Sequence, residues 1–261
     1  MKRLVVNSDD FGMCRAVNAG VVGAFREGVL TSASVMACAP WFNDAAALAV
    51  EHGLPIGIHL TATCEWDRYR WRPITPARSF TESDGTLPRT VEAVRRRAVR
   101  SELESEFRAQ IERVLAARLR PTHLDSHMDV IFPDLLAKLA RDYDIPTHNV
   151  EAAGAGTPAF VMASRECFSA TAGDRVERFC EYLRTRSDGD HLVVVHAAED
   201  GGELRAMASP DSPVRPWARD YRVADLAMIL DARARRAWED SGVRLISFAD
   251  LPRVVSGPGA E

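Results

Sequence analysis

Two adjacent carboxylates, Asp9 and Asp10, and three well-separated histidines, His59, His127 and His196, are of the types that a hydrolytic centre uses. Neighbouring carboxylates at the end of a strand point in different directions, so one can bind a cation while the other handles a proton. One carboxylate and two imidazoles from separate strands can form the protein side of a catalytic ion site, with positions left over for water and a substrate oxygen. Imidazole donors favour Zn²⁺, Fe²⁺, Co²⁺ or Ni²⁺ over Mg²⁺, and Zn²⁺ is the first choice for one divalent ion here. Such an ion activates water and polarises an acyl oxygen, leaving a base and an acid to the protein. The plainer alternatives are separate solvated or capping residues, with an Asp of the pair as N-cap of the helix after Gly12.

The elements that must position these residues alternate in type. β-rich runs fall at 4–8, 32–37, 55–60, 122–126, 191–196 and 243–247, with a weaker one at 145–151. Helical patterns fall between them at 17–25, 42–50, 91–119, 135–143, 176–183 and 226–238. That alternation predicts parallel strands joined by crossover helices, an α/β fold. Asp9, Asp10, His59, Asp125, His127 and His196 all fall at the carboxyl ends of the strands. In a parallel α/β barrel those ends share one rim, where groups from different strands meet. At 261 residues, with no fixed-period repeat and no long Gly/Ser- or Pro-rich linker, the chain reads as a single domain over 1–261. Two segments break the rhythm, near 63–89 and 201–219, and long loops in a compact domain usually carry function.

The motifs resemble those of the YdjC/ChbG carbohydrate deacetylases. VVNSDDFG is similar to their NADDFG opening, GIHLT to their GxHLT segment, and PTHLDSH to their PTHxDSH motif. The resemblance implies a distorted (β/α) barrel, NodB-like and TIM-like, with a metal site at the C-terminal ends of the strands, and removal of an N-acetyl group from an amino sugar. It implies that Asp10, His59 and His127 bind the metal, that Asp9 is the general base, and that His196 protonates the leaving amine. Three departures bear on the substrate: DSHMDVI replaces the family's histidine-rich DSHHHVH, HAAED replaces HPG or HPA and adds Glu199 and Asp200 beside the acid, and His148 stands where the family has an Arg.

Asp125 is expected to accept a hydrogen bond from a ligand imidazole; as a plain turn residue it would look the same. His123 reads as packed, outside the metal set. Trp66, Arg68, Tyr69, Arg70 and Trp71 could form a sugar-stacking lid, with His148 a further substrate contact; the competing reading of the aromatic stretch is an anchored loop or a subunit contact. Cys14 and Cys38 read as small buried side chains, and the five cysteines, widely spaced and without CxxC, as reduced thiols. A net charge of −4 with 27% charged residues offers no basic footprint for nucleic acid or an anionic membrane. The apolar run at the start stops at Val6, too early for a signal peptide, and no segment is apolar enough to span a bilayer. The expectation is a cytoplasmic hydrolase of a small acetylated sugar, with a homo-oligomer left open. Two other readings fit the same residues: a metal hydrolase of another amide or ester, such as an acylated natural product, and a carbohydrate-binding barrel without turnover.

Overall fold

The structure is a computed structural model, described here for residues 1–129, 132–147, 160–162 and 172–251. Among these residues the frame is a parallel sheet of seven strands: β1 (Lys2–Phe11), β2 (Ser32–Val35), β3 (Ile56–Leu60), β4 (Leu124–Ser126), β5 (Phe160–Met162), β6 (Gly189–Val195) and β7 (Arg244–Leu245). The order is β4-β3-β2-β1-β6-β5, and β7 also pairs with β1. Every pairing is parallel. β6 occupies one edge of β1 along residues 2–8, so β7 at Arg3 and Leu4 and β2 from Asn7 onward share the other. Among the described residues the two outer strands, β4 and β5, do not pair with each other.

Among the described residues ten helices connect and cover the strands: α1 (Arg15–Glu27), α2 (Phe42–His52), α3 (Val91–Arg97), α4 (Arg100–Ala116), α5 (Pro133–Tyr143), α6 (Ala172–Thr185), α7 (Gly202–Ala206), α8 (Arg215–Ala218), α9 (Asp220–Leu230) and α10 (Ala232–Ser241). Two long helices expected from the pattern are each broken in two. At Ala98 the backbone turns extended, and the Val99 N–H is taken by the Ser79 hydroxyl. At Asp231 the side chain caps the Arg233 N–H and starts a new helix, the job an Asp does best. The weak pattern at 145–151 yields a single parallel bridge, Leu124 to Thr147, and its residues from 148 on lie outside the described ones. β5 has no clear signal in the sequence.

The period of two along each strand sorts the side chains into two layers. Leu4, Val6, Val35, Ile56, Ile58, Leu60, Leu124, Val193 and Val195 join the main core with the helices. Val5, Leu192 and Val194 alternate with them and form a second, smaller core with Ile246, Phe248 and Leu251. Continuing that second face toward the strand ends gives Asn7 and Asp9 on β1, Ser34 on β2, Gly57 and His59 on β3, and His123 and Asp125 in the β4 region. The face therefore changes from apolar to polar along its length, and the polar end is the candidate site. Gly57 is required there: a Cβ would lie 2.2 Å from the His123 ring. That ring packs on Phe248, with centroids 3.8 Å apart, so His123 is a packed residue as expected.

Candidate active site

The first strand breaks its own alternation at the place where the two carboxylates lie. Ser8 pairs with Ala33 but Phe11 with Val35, so β1 carries one extra residue across Asp9 and Asp10. Asp10 takes a left-handed backbone (φ 66°), uncommon outside glycine. A bulge of this kind re-aims a side chain. In a regular strand Asp10 would face the helices with Ser8; here both carboxylates reach the same imidazole, Asp10 Oδ1 at 3.4 Å and Asp9 Oδ2 at 3.9 Å from His59 Nε2. Gly12 (φ 95°) completes the turn against the Phe42 backbone, and its N–H donates to Asn18 Oδ1 at 2.7 Å.

The β3–β4 register sets His59 beside Asp125, whose Oδ1 is 2.7 Å from His59 Nδ1. His127 follows β4 in a 3-10 turn, and its Nδ1 lies 3.1 Å from Asp10 Oδ1. One donor atom from each of Asp10, His59 and His127 lies within 4.8 Å of the others, and all three side chains are buried. This trio could hold a metal ion. A second grouping, Asp9, His59 and Asp125, also comes within that distance; because Asp125 already takes Nδ1 of His59, the first grouping uses the ring more coherently, Nε2 toward the ion and Nδ1–H toward the carboxylate.

The charges agree with a cation site. Burial alone would raise the Asp10 carboxyl, but Arg222, with Nη2 2.7 Å from Oδ2, followed by His127 and His59, outweighs it and holds Asp10 well below the usual carboxylate range. Burial also acts to lower both imidazoles. Asp125, Asp9 and Asp10 overcome it and raise His59 well above its usual range, while Glu65 and Asp10 bring His127 to about 9. Without an ion, therefore, both rings carry a proton at neutral pH. Metal ligation requires them neutral, so loading metal-stripped protein at pH 7 is expected to release about two protons per ion. Titration calorimetry in two buffers of different ionisation enthalpy measures the number, and a value near zero would contradict this pairing of ligands.

Asp9 is held separately. Asn7 Nδ2 donates to its Oδ1 at 2.8 Å and the Ser34 hydroxyl at 3.3 Å, leaving Oδ2 toward the cluster. His196 follows β6, whose Val195 pairs with Ser8, so the next residues along the two neighbouring strands are His196 and Asp9. Its backbone N–H donates to Asp225 Oδ2 at 2.9 Å, and Asp225 is itself ion-paired with buried Arg175. Burial pushes the His196 ring down to about 3; Asp10 pulls it up, but Arg222, His59 and His127 add to the depression. His196 is neutral at rest. The two acidic residues after it do not crowd it: Asp200 is paired with Arg205 at 2.8 Å and Arg219 at 2.5 Å, and Glu199 is exposed.

The 64–73 segment takes a different part from the sugar lid expected of it. Trp66 is 0% exposed and Trp71 is buried, so neither offers a face to a sugar ring. The reason lies in what packs on them. The Arg222 guanidinium sits 5.6 Å from the Trp66 ring, and the Trp71 ring stands edge-on to His127 at 6.3 Å with its N–H donated to the Thr63 carbonyl. Tyr69 donates its hydroxyl to the Met13 carbonyl at 2.8 Å, and Arg70 binds backbone carbonyls of its own loop. Arg68 remains exposed, its N–H bonded to the Met207 carbonyl, while Asp67 accepts from the Ser209 N–H, tying this loop to the 201–219 loop. The segment is a collar that braces the cluster. Trp66→Ala is accordingly expected to cost about 3–5 kcal/mol of stability, as for other buried aromatics, and to lower activity equally on large and small substrates; urea melts and paired kinetics check this. His148 lies outside the described residues.

Three supporting residues escape sequence reading. Glu65 places Oε2 3.1 Å from His127 Nε2, hidden in a segment whose aromatics and arginines draw the attention. Arg222 and Asp225 stand on α9 and are buried, one holding Asp10 and the other the His196 backbone. Their spacing with Met228 and Ile229 places charges on the apolar stripe of an amphipathic helix, the one signal that could have found them.

A family model described as YdjC-like protein matches residues 3–240. A carbohydrate deacetylase of Brevibacillus brevis is 42% identical, over 95% of this chain and 99% of its own length. One from Geobacillus stearothermophilus is 33% identical, over 95% and 97%, and a chitooligosaccharide deacetylase of Yersinia pestis is 31% identical, over 95% and 99%. A crystal structure of an Enterococcus faecalis protein assigned to cellobiose-phosphate cleavage superposes with a TM-score of 0.77 at 24% identity, covering 95% of this chain and 97% of that one; it establishes likeness of fold. With its DDFG bulge, GIHLT strand and PTHLDSH turn meeting at one cluster, and a model match across nearly its whole length, the chain belongs to the YdjC-like protein family.

Proposed function

We propose that this chain is a metal-dependent hydrolase that removes the acetyl group from an N-acetylated amino sugar. The observation that carries the reading is the bulge at Asp9 and Asp10, which turns one carboxylate toward His59 and His127 and keeps the other beside them, held by Asn7 and Ser34. The relatives named carbohydrate and chitooligosaccharide deacetylases support the substrate class. Asp10 Oδ1, His59 Nε2 and His127 Nδ1 would hold one divalent ion, with Zn²⁺ favoured by two imidazole donors. Bound there, the ion would polarise the acetamide carbonyl and make water a better nucleophile.

The remaining steps belong to the chain. Asp9 orients the attacking water and takes its proton as the water oxygen adds to the acyl carbon. As the C–N bond breaks, the amine nitrogen needs a proton. His196, neutral at rest, acts as acid by receiving the proton collected at its strand neighbour Asp9 and passing it to the amine. The products are acetate and the free amino sugar.

Acetate release from a panel of N- and O-acetylated sugars, with metal-stripped protein as control, tests the reading. Release from N-acetylated sugars that stops on stripping and returns with Zn²⁺ is the expected result. Turnover of acetyl esters alone would favour the esterase alternative, and sugar binding without acetate release would favour a binding protein. No described helix is long and apolar enough to cross a membrane.

A further inference from the structure

With Trp66 and Trp71 buried, the sugar must find its apolar contact elsewhere, and the structure assigns that role to Trp217. It is 37% exposed, the most of the five tryptophans. It stands on α8, in the 201–219 loop, with its ring 5.9 Å from the His196 ring at 72°. Part of a large apolar side chain is exposed here, directly beside the imidazole that serves the leaving amine.

The ring is also braced from behind. Tyr221 packs edge-to-face against it with centroids 4.6 Å apart, and the buried Arg175 guanidinium lies 5.1 Å from the Tyr221 ring centroid. The Trp217 carbonyl accepts from Arg222 Nε at 2.9 Å, and Arg222 is the side chain that grips Asp10. Backbone and ring are thus tied to the same two buried arginines that secure Asp10 and, through Asp225, His196. An exposed indole held this firmly is a preformed platform, and an aromatic face of this kind suits the C–H face of a pyranose, whose hydroxyls point sideways to water. The occupant is the sugar ring that bears the acetamide: with its nitrogen at His196, its apolar face meets the indole. Trp217 is therefore a specificity residue, selecting sugar amides over other acetyl compounds. This rests on the deacetylase reading.

The test compares kcat/KM of zinc-loaded protein on an N-acetylated chitooligosaccharide trimer with that on phenyl acetate, for wild type, Trp217→Phe and Trp217→Ala. The expected result is a sugar-to-ester selectivity ratio lowered roughly 3–10-fold in Trp217→Ala, mainly through KM on the sugar, with Trp217→Phe in between. An unchanged ratio in both variants, with a wild type that deacetylates the trimer, would overturn the platform and leave the deacetylase reading standing. A wild type that hydrolyses the ester and releases no acetate from any sugar would overturn both. Trp217→Phe retains an aromatic ring against Tyr221, so it carries the test if the alanine variant does not fold.

Discussion

Asp9→Asn is expected to keep its metal and lose turnover by about 10²–10⁴-fold, the usual range for a general base. The amide has the shape of the carboxylate, and its oxygen can still accept from Asn7 Nδ2, now at 2.8 Å, and from the Ser34 hydroxyl. What it lacks is a site for the water proton. Asp9 Oδ2 lies 3.9 Å from His59 Nε2, farther than Asp10 Oδ1 at 3.4 Å, so the ion site should survive the change. Metal content by elemental analysis and kcat on an N-acetylated sugar measure the two effects separately. If Asp9→Asn kept near wild-type kcat, or lost its metal while Asp10→Asn kept it, the two carboxylates would have their roles exchanged.

His59→Ala and His127→Ala are expected to bring metal content well below one ion per chain and to abolish activity. Each would remove one of the three donors proposed for the ion. Replacing even an outer partner of a metal-ligating histidine typically costs about 10–100-fold in affinity or activity, so loss of a donor should exceed that. Asp125→Asn is the graded comparison: it weakens the hold on His59 Nδ1, now 2.7 Å away, and should fall in that 10–100-fold range. Competition with a chromophoric chelator, on protein whose circular dichroism matches wild type, gives the affinities. Unchanged metal content in both alanine variants would refute the assignment of the ion to this trio.

The sequence by itself determined a good deal of this protein. Alternating strands and helices, and chemically active residues at the strand ends, are local properties, because a strand of period two and a helix of period 3.6 are written in a few successive residues. The motif spacing around Asp9, Asp10, His59, Asp125 and His127 was legible for the same reason. Only the tertiary structure decided the rest. The bulge that turns Asp10 toward His59 depends on how β1 pairs with β2, a register fixed between segments. Trp66 and Trp71 looked like a sugar lid because type and neighbourhood are all that sequence shows; their burial depends on Arg222 and His127, brought against them from distant parts of the chain. Conversely, Arg222 and Asp225 resemble an ordinary helical charge pattern until α9 packs them beneath Asp10 and His196. Whether a charged or aromatic side chain faces water, a ligand or another side chain is set by what the fold places opposite it, and that partner is seldom near it in sequence.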